Sequence, residues 1–172
     1  MNNTSLDGYL LDTCLLSALL DPTKATHLAV CTTMDNLDID SPKYVSVITF
    51  AELEFGIRLA ALRGDKNTER LDKIVHDAKT HPPLNVTKHT AAEYGFIKAE
   101  LANKYLNNAL RKFRSRWIEE WVDTATGQKL QIDENDLWLC AQAKERNLVL
   151  LTAEKKIHRI KSVVPAIRIE TI

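Results

Sequence analysis

Tyr9-Leu10-Leu11-Asp12-Thr13 is the stretch on which the reading of this chain turns. Three apolar residues follow the turn-like pair Asp7-Gly8 and run straight into a carboxylate. A short apolar run with turn signals at both ends reads as a buried strand. Leu15, Leu16, Leu19 and Leu20 then recur at helical spacing, so a helix follows at once. Asp12 therefore stands where a strand hands over to a helix. In parallel α/β sheets, that edge is where ligands bind.

The arrangement recurs along the chain. Tyr44-Val45-Ser46-Val47-Ile48 reads as a second strand, and Thr49-Phe50-Ala51-Glu52 as a capping box opening a helix that stops at Gly64. Leu148-Val149-Leu150-Leu151 reads as a third strand, closing in Thr152 with Glu154 two residues later. Asp136 lies in the first turn of the helix that feeds it, which runs to about Arg146 with Asn147 as its cap. If these three strands are parallel neighbours, Asp12, Glu52, Asp136 and Glu154 gather at one end of one sheet.

The remaining segments fill in the order. Further helices are expected from Thr23 to Asn36 and from Asn67 or Thr68 onward, and Leu84-Asn85-Val86 is a candidate short strand. Thr90-Ala91-Ala92-Glu93 is a second capping box. A stripe of Leu101, Tyr105, Leu106, Leu110, Phe113, Trp117 and Trp121, with no Gly or Pro before Gly127, predicts one long helix over about Ala91–Val122, with Asn107-Asn108 as a candidate break into two. Ala166 to Ile169 reads as an edge strand. The sequence β-α-α-β-α-α-β-α-β-α-β defines an α/β class with a mostly parallel sheet.

A chain of 172 residues with 45% hydrophobic content suits one domain with a sizeable core. Lys+Arg and Asp+Glu both number 23, so net charge gives no signal for nucleic acid and any such contact needs a local basic patch. Cys14, Cys31 and Cys140 lack CxxC spacing and read as small buried hydrophobes in a reducing cytoplasm, with neither a zinc nor a disulfide framework. The N-terminus has no basic n-region, and its apolar run is short and carries Asp12. Neither a signal peptide nor a membrane span is expected.

Four converging carboxylates have a chemical consequence. Two like charges about 4 Å apart repel by roughly 4 kcal/mol at an effective dielectric of 20. Protonation relieves this, and so does a divalent cation. Oxygen-only ligands favour hard ions such as Mg²⁺ or Mn²⁺, and none of the five histidines adjoins the four acids, which disfavours zinc. Such ions at a sheet edge suit metal-assisted phosphodiester hydrolysis, with the Thr152 hydroxyl holding a water or a carboxylate in place.

These motifs resemble the PIN domain and, within it, the VapC-like toxins of type II toxin–antitoxin systems. The resemblance rests on Tyr9-Leu-Leu-Asp12-Thr13, Ser46-Val-Ile-Thr49-Phe-Ala-Glu52-Leu-Glu-Phe-Gly56, Asn135-Asp136-Leu-Trp-Leu-Cys-Ala-Gln-Ala143, and Leu148-Val-Leu-Leu-Thr152-Ala-Glu154. It implies a PIN-like three-layer sandwich over residues 1–172, with a helix and loop insertion at about 91–131. It also implies a Mg²⁺- or Mn²⁺-dependent endoribonuclease leaving a 5′-phosphate and a 3′-hydroxyl. Asp12, Glu52, Asp136 and Glu154 would be the metal ligands, with Thr152 as accessory. The implied partners are RNA, a small cognate antitoxin and a second copy of the chain. Three features depart from the family: Glu154 stands for the usual Asp, Cys14 for a polar Asn or Ser, and the segment from about Tyr105 to Gln131 is longer.

Each residue also has a plainer reading. Asp12 and Thr152 can serve as helix caps, and Glu52 has a structural role in a capping box. Asp133 and Glu134 compete with Asp136 for the positive end of its helix, and the family spacing selects Asp136. Glu154 can be an exposed acid beside Lys155 and Lys156, and Glu93 is left to its capping box. Lys104, Arg111, Lys112, Arg114 and Arg116 form one basic run. Lys155, Lys156, His158, Arg159 and Lys161 form another, and its place beside Glu154 makes it the better seat for RNA phosphates. Trp117 and Trp121 read as core or interface. A PIN scaffold without catalysis, acting as a binding module, is the alternative function. A phospho-receiver domain is disfavoured, because the early acidic pair and the lysine ending a late strand are absent.

Overall fold

The computed structural model describes residues 7–64, 68–106 and 117–172. Five strands form one sheet: β1 (Tyr9–Leu11), β2 (Lys43–Ser46), β3 (Pro83–Leu84), β4 (Val149–Thr152) and β5 (Arg168–Thr171), in the order β3-β2-β1-β4-β5. Every pairing is parallel, so the sheet expected to be mostly parallel is wholly so. β1 lies at its centre, with Leu10 in register with Tyr44 of β2 and Leu150 of β4. β5 takes the edge, as its alternating pattern predicts.

Parallel neighbours need crossovers, and helices supply them. They are α1 (Thr13–Leu19), α2 (His27–Asn36), α3 (Val47–Leu62), α4 (Thr68–Ala78), α5 (Lys88–Tyr105), α6 (Glu134–Glu145) and α7 (His158–Lys161). The two-residue period of a strand sends adjacent side chains to opposite faces. Leu10 and Leu150 enter one apolar cluster with Ile97 and Leu101 of α5, Leu137 and Cys140 of α6, and Ile160 of α7. Leu11, Val45 and Leu151 enter the other with Leu15 and Leu16 of α1, Val30 of α2 and Ala78 of α4. The result is a three-layer sandwich whose strands all end on one edge. The amide of Asp12 continues the β1–β4 ladder by donating to Leu151 O at 3.1 Å, which fixes Asp12 at that edge.

Several elements differ from expectation for local reasons. β2 ends at Ser46, whose hydroxyl accepts from the Ile48 amide and caps α3. The Thr49–Glu52 capping box therefore does not form, and Glu52 is released to the site. Asp21 accepts from the Thr23 amide at 3.0 Å and from its hydroxyl at 2.6 Å, holding a turn there so that α2 starts only at His27. The box that opens α5 is Thr87 with Thr90, and Glu93 instead pairs with Lys144. The single helix expected over Ala91–Val122 is not formed. α5 ends at Tyr105, and Trp117 is extended before a 3-10 turn at Ile118–Glu120. Val122 then bridges Lys129 in antiparallel fashion around the Asp123–Gly127 turn. Leu110, Phe113 and the basic residues at 111–116 lie outside the described residues.

Candidate active site

Four of the predicted acids line one cavity of about 450 Å³ at the carboxyl edge: Asp12, Glu52, Asp136 and Glu154. Thr13, Cys14, Gln131, Asp133 and Asn135 share its wall, as do Lys24 and Lys156. Thr152 is not on the wall. It is fully buried behind Asp12 and donates to Asp12 Oδ2 at 2.6 Å.

Asp12 caps α1 directly after β1. Its Oδ1 accepts from the Thr13 amide at 2.6 Å, and its Oδ2 accepts from Thr152 and from the Cys14 thiol at 2.9 Å. Glu52 comes from the second turn of α3. Its Oε2 accepts from the Thr13 hydroxyl and its Oε1 from Asn135 Nδ2 at 2.7 Å, so one carboxylate links α1, α3 and α6. Glu154 follows β4; its amide donates to Thr152 Oγ1 at 2.9 Å, and its Oε1 accepts from the Lys156 amide at 3.3 Å.

Asp136 occupies the third position of α6 in a reciprocal box with Asp133. Its amide donates to Asp133 Oδ1 at 2.8 Å, and its Oδ2 accepts from the Asp133 amide at 3.2 Å. Its Oδ1 makes no hydrogen bond among the described residues. Burial, then the charges of Asp133, Asp12 and Glu154, push its carboxyl up to about 7. Burial also raises Glu52, with Asp12 and Asp133 adding to it against the pull of the bonds from Thr13 and Asn135. Asp133 is raised by burial and by the Asp12 charge. The Cys14 thiol is pushed up to about 12, chiefly by burial and then by Asp12, so it stays protonated.

Asp133 thus belongs to the cluster as a fifth acid, one the sequence reading set aside in favour of Asp136. Thr13 and Asn135 were unassigned as well, although each directly neighbours a predicted acid. Glu93, assigned from sequence to a capping box, is instead paired with Lys144.

A second polar group stands behind the first turn of α6. Glu134 accepts from the Lys98 ammonium, the Tyr94 hydroxyl and, at 3.2 Å, the Ile118 amide. Its own amide donates to Glu119 Oε1 at 3.0 Å. Tyr94 stacks on Trp138 with centroids 4.1 Å apart, and Lys98 lies over the Tyr94 and Trp121 rings. Burial opposes the charge on Glu134, but the bonds from Lys98 and Tyr94 hold its carboxyl below the usual range. The Ile118–Glu120 turn is therefore tied to the turn that carries Asp133, Asn135 and Asp136. Trp121 is buried in this region, whereas Trp117, read from sequence as core or interface, is 61% exposed.

The donor chemistry fits a hard divalent cation. The acids offer only oxygen, Asp136 keeps one oxygen open, and mutual repulsion disfavours leaving the group uncompensated. Among the described residues, no three His, Cys, Asp or Glu side chains are drawn together as a finished metal cage. Protein donors already engage both carboxylate oxygens of Asp12 and of Glu52.

A parallel three-layer α/β sandwich with an acidic cavity at the carboxyl end of its central strands defines the class. The sequence profile of the PIN domain matches residues 9–163, and the chain belongs to that family. Solved structures share the fold. DNA-bound VapBC from Salmonella typhimurium matches with a TM-score of 0.59 at 21% identity, covering 97% of this chain and 98% of that one. FitAcB from Neisseria gonorrhoeae gives 0.58 at 22% identity, covering 94% and 95%. VapBC2 from Rickettsia felis, bound to a promoter DNA fragment, gives 0.58 at 16% identity, covering 95% and 97%. A search of curated proteins returns no match.

Proposed function

We propose that this chain is a Mg²⁺- or Mn²⁺-dependent endoribonuclease and the toxin of a type II toxin–antitoxin pair. The observation that carries the reading is the convergence of Asp12, Glu52, Asp136 and Glu154 on one cavity at the sheet's carboxyl edge. These four would hold the cation, with Asp133 beside them. A divalent ion bound there supplies charge neutralisation and an activated water for phosphodiester hydrolysis. Thr13 and Asn135 orient Glu52, while Thr152 and Cys14 orient Asp12. Lys24 and Lys156 on the wall offer charge to the RNA backbone.

The partners follow from the same reading. VapBC is a family of toxin–antitoxin systems, and a small cognate antitoxin is the partner proposed here. α3 supports a protein partner: it is apolar around most of its circumference, yet Thr49 is its one buried residue, and Phe55 and Leu62 are exposed. A homodimer is proposed as well. The working compartment is the cytoplasm, consistent with the unpaired thiols of Cys14, Cys31 and Cys140. No helix among the described residues is long and apolar enough to cross a membrane.

The test is cleavage of a mixed small-RNA pool by purified protein with Mg²⁺ or Mn²⁺, beside Asp12→Asn and an EDTA control. Discrete cuts are expected with the cation, falling at least about 100-fold in the variant, since even residues behind the ligands are worth that much. Equal results for folded, antitoxin-free wild type and variant would replace the nuclease reading with that of a non-catalytic binding module.

A further inference from the structure

The chain reaches α6 through Leu130-Gln131-Ile132, the end of the insertion that the acidic pattern does not require. Leu130 and Ile132 are 0% and 1% exposed and belong to the core. The Leu130 amide donates to Trp121 O at 2.9 Å, and the Val122–Lys129 bridge and the Asp123–Gln128 bond hold the loop behind it. Between these two anchors Gln131 takes φ of 58°, in the left-handed region. A residue with a Cβ pays roughly 1 kcal/mol or more there, and glycine none. Asn147 is the other such non-glycine residue among those described, and it follows the end of α6, where that conformation is expected. Gln131 is no helix end. It is exposed and lines the cavity with Asp12, Glu52, Asp133, Asn135 and Asp136, and its amide makes no hydrogen bond among the described residues.

We propose that Gln131 reads a nucleobase of the RNA beside the scissile phosphate, through the paired donor and acceptor of its primary amide. This rests on the ribonuclease reading above. The Gln131 amide carries no charge, so it suits a neutral hydrogen-bonding group, while Lys24 and Lys156 on the same wall suit the phosphates. A base edge carrying a donor next to an acceptor matches a primary amide in two parallel hydrogen bonds. Sequence-specific contact with single-stranded RNA is made at such edges, on unstacked bases. The two buried neighbours hold the backbone still, so little is lost in ordering it on binding. A strained backbone position on a cavity wall is where such a role is expected.

Gln131→Gly separates the side chain from the strain, because glycine adopts φ of 58° freely. Cleavage of a randomised RNA library is measured for wild type, Gln131→Gly and Gln131→Glu, together with Tm and Mn²⁺ affinity. The expected result is a glycine variant with Tm equal or higher and Mn²⁺ affinity unchanged, but with preference for one base at one position reduced about tenfold. Gln131→Glu, which removes the donor, shifts the preference at that same position. A Gln131→Gly cleavage pattern superimposable on that of wild type overturns the proposal while the nuclease reading stands. Should Asp12→Asn show the nuclease reading to be wrong, the Gln131 side-chain amide signal is followed by NMR during titration with ribo-oligonucleotides. A shift that differs between bases supports base reading by a non-catalytic protein, and an unmoved signal overturns it.

Discussion

Asp12 and Asp136 are two carboxylates in one cavity with nearly equal exposure, 6% and 9%, yet their surroundings differ. Asp12 accepts from a backbone amide, a threonine hydroxyl and a thiol. Asp136 accepts from one amide at 3.2 Å, and it faces three other acids. The difference comes from where each is mounted. Asp12 sits between two central strands, where β4 brings Thr152 against it and the start of α1 brings Thr13 and Cys14. Asp136 sits on the outer turn of a helix whose free amides are already taken by Asp133 and Glu119. For Asp136, burial acts first and the neighbouring acids add to it, with one long amide bond to oppose them. In the proposed cation site, Asp136 would offer an open oxygen and Asp12 a carboxylate already held in place.

The largest test of this contrast is pH. Asp136 ionises at about 7 in the folded chain against an ordinary value of 3.8. The folded state then binds more protons between these values, so the stability of the metal-free protein rises as pH falls from about 7 toward 4. It is lost again as pH rises through 7. The contribution reaches up to about 4 kcal/mol, and Glu52 and Asp133 act in the same direction. Glu134 acts oppositely, so the measurement is the difference in denaturant midpoint between wild type and Asp136→Asn across this range. A wild-type profile parallel to that of the variant would remove the contrast. Mn²⁺ binding should weaken in the wild type below pH 7, as protons compete for Asp136.

The support behind α6 comes next in size. Lys98→Met leaves Glu134 partly buried without its ammonium and is expected to cost about 1–3 kcal/mol in chemical denaturation. Glu134→Gln is expected to lower Mn²⁺ affinity about 10-fold, through looser placement of Asp133 and Asp136. Amide hydrogen exchange at Ile118 and Glu134 should quicken in both variants. Unchanged exchange with weakened metal binding would mean that charge, not placement, is the effect.

Cys14 offers the smallest and most local test. Cys14→Ser can donate to Asp12 and accept from Ala153, so its stability should stay within about 0.5 kcal/mol of wild type, while Cys14→Ala should lose about 1 kcal/mol. Iodoacetamide at pH 8 should leave Cys14 unmodified by mass spectrometry, because its thiol is pushed up to about 12. Rapid labelling there would show that Asp12 lacks this donor in solution.

The strand–helix handovers were legible in the sequence because they are local: an apolar run, a turn signal and a change of period fit within ten residues. That was enough to place Asp12, Glu52, Asp136 and Glu154 at one edge of an α/β sheet. The capping boxes at Thr49 and Thr90 misled, because Ser46 and Thr87 make the same bond one turn earlier and spacing alone cannot choose between them. The apolar stripe from Leu101 to Trp121 read as one helix, yet Ile118 and Trp121 turn into the α5–α6 core through a 3-10 turn; a stripe records burial, not the backbone that achieves it. Asp133 looked like a rival of Asp136, and only the packing of α6 against α3 shows both on one wall. The sequence by itself determined the class, the sheet edge and four of the acids, since pattern and short-range chemistry suffice for these. Tertiary structure decided the fifth acid, the Glu134 support, the place of Gln131 and the unequal donors on Asp12 and Asp136. Those depend on contacts between segments far apart in the chain, and no local pattern encodes such distances.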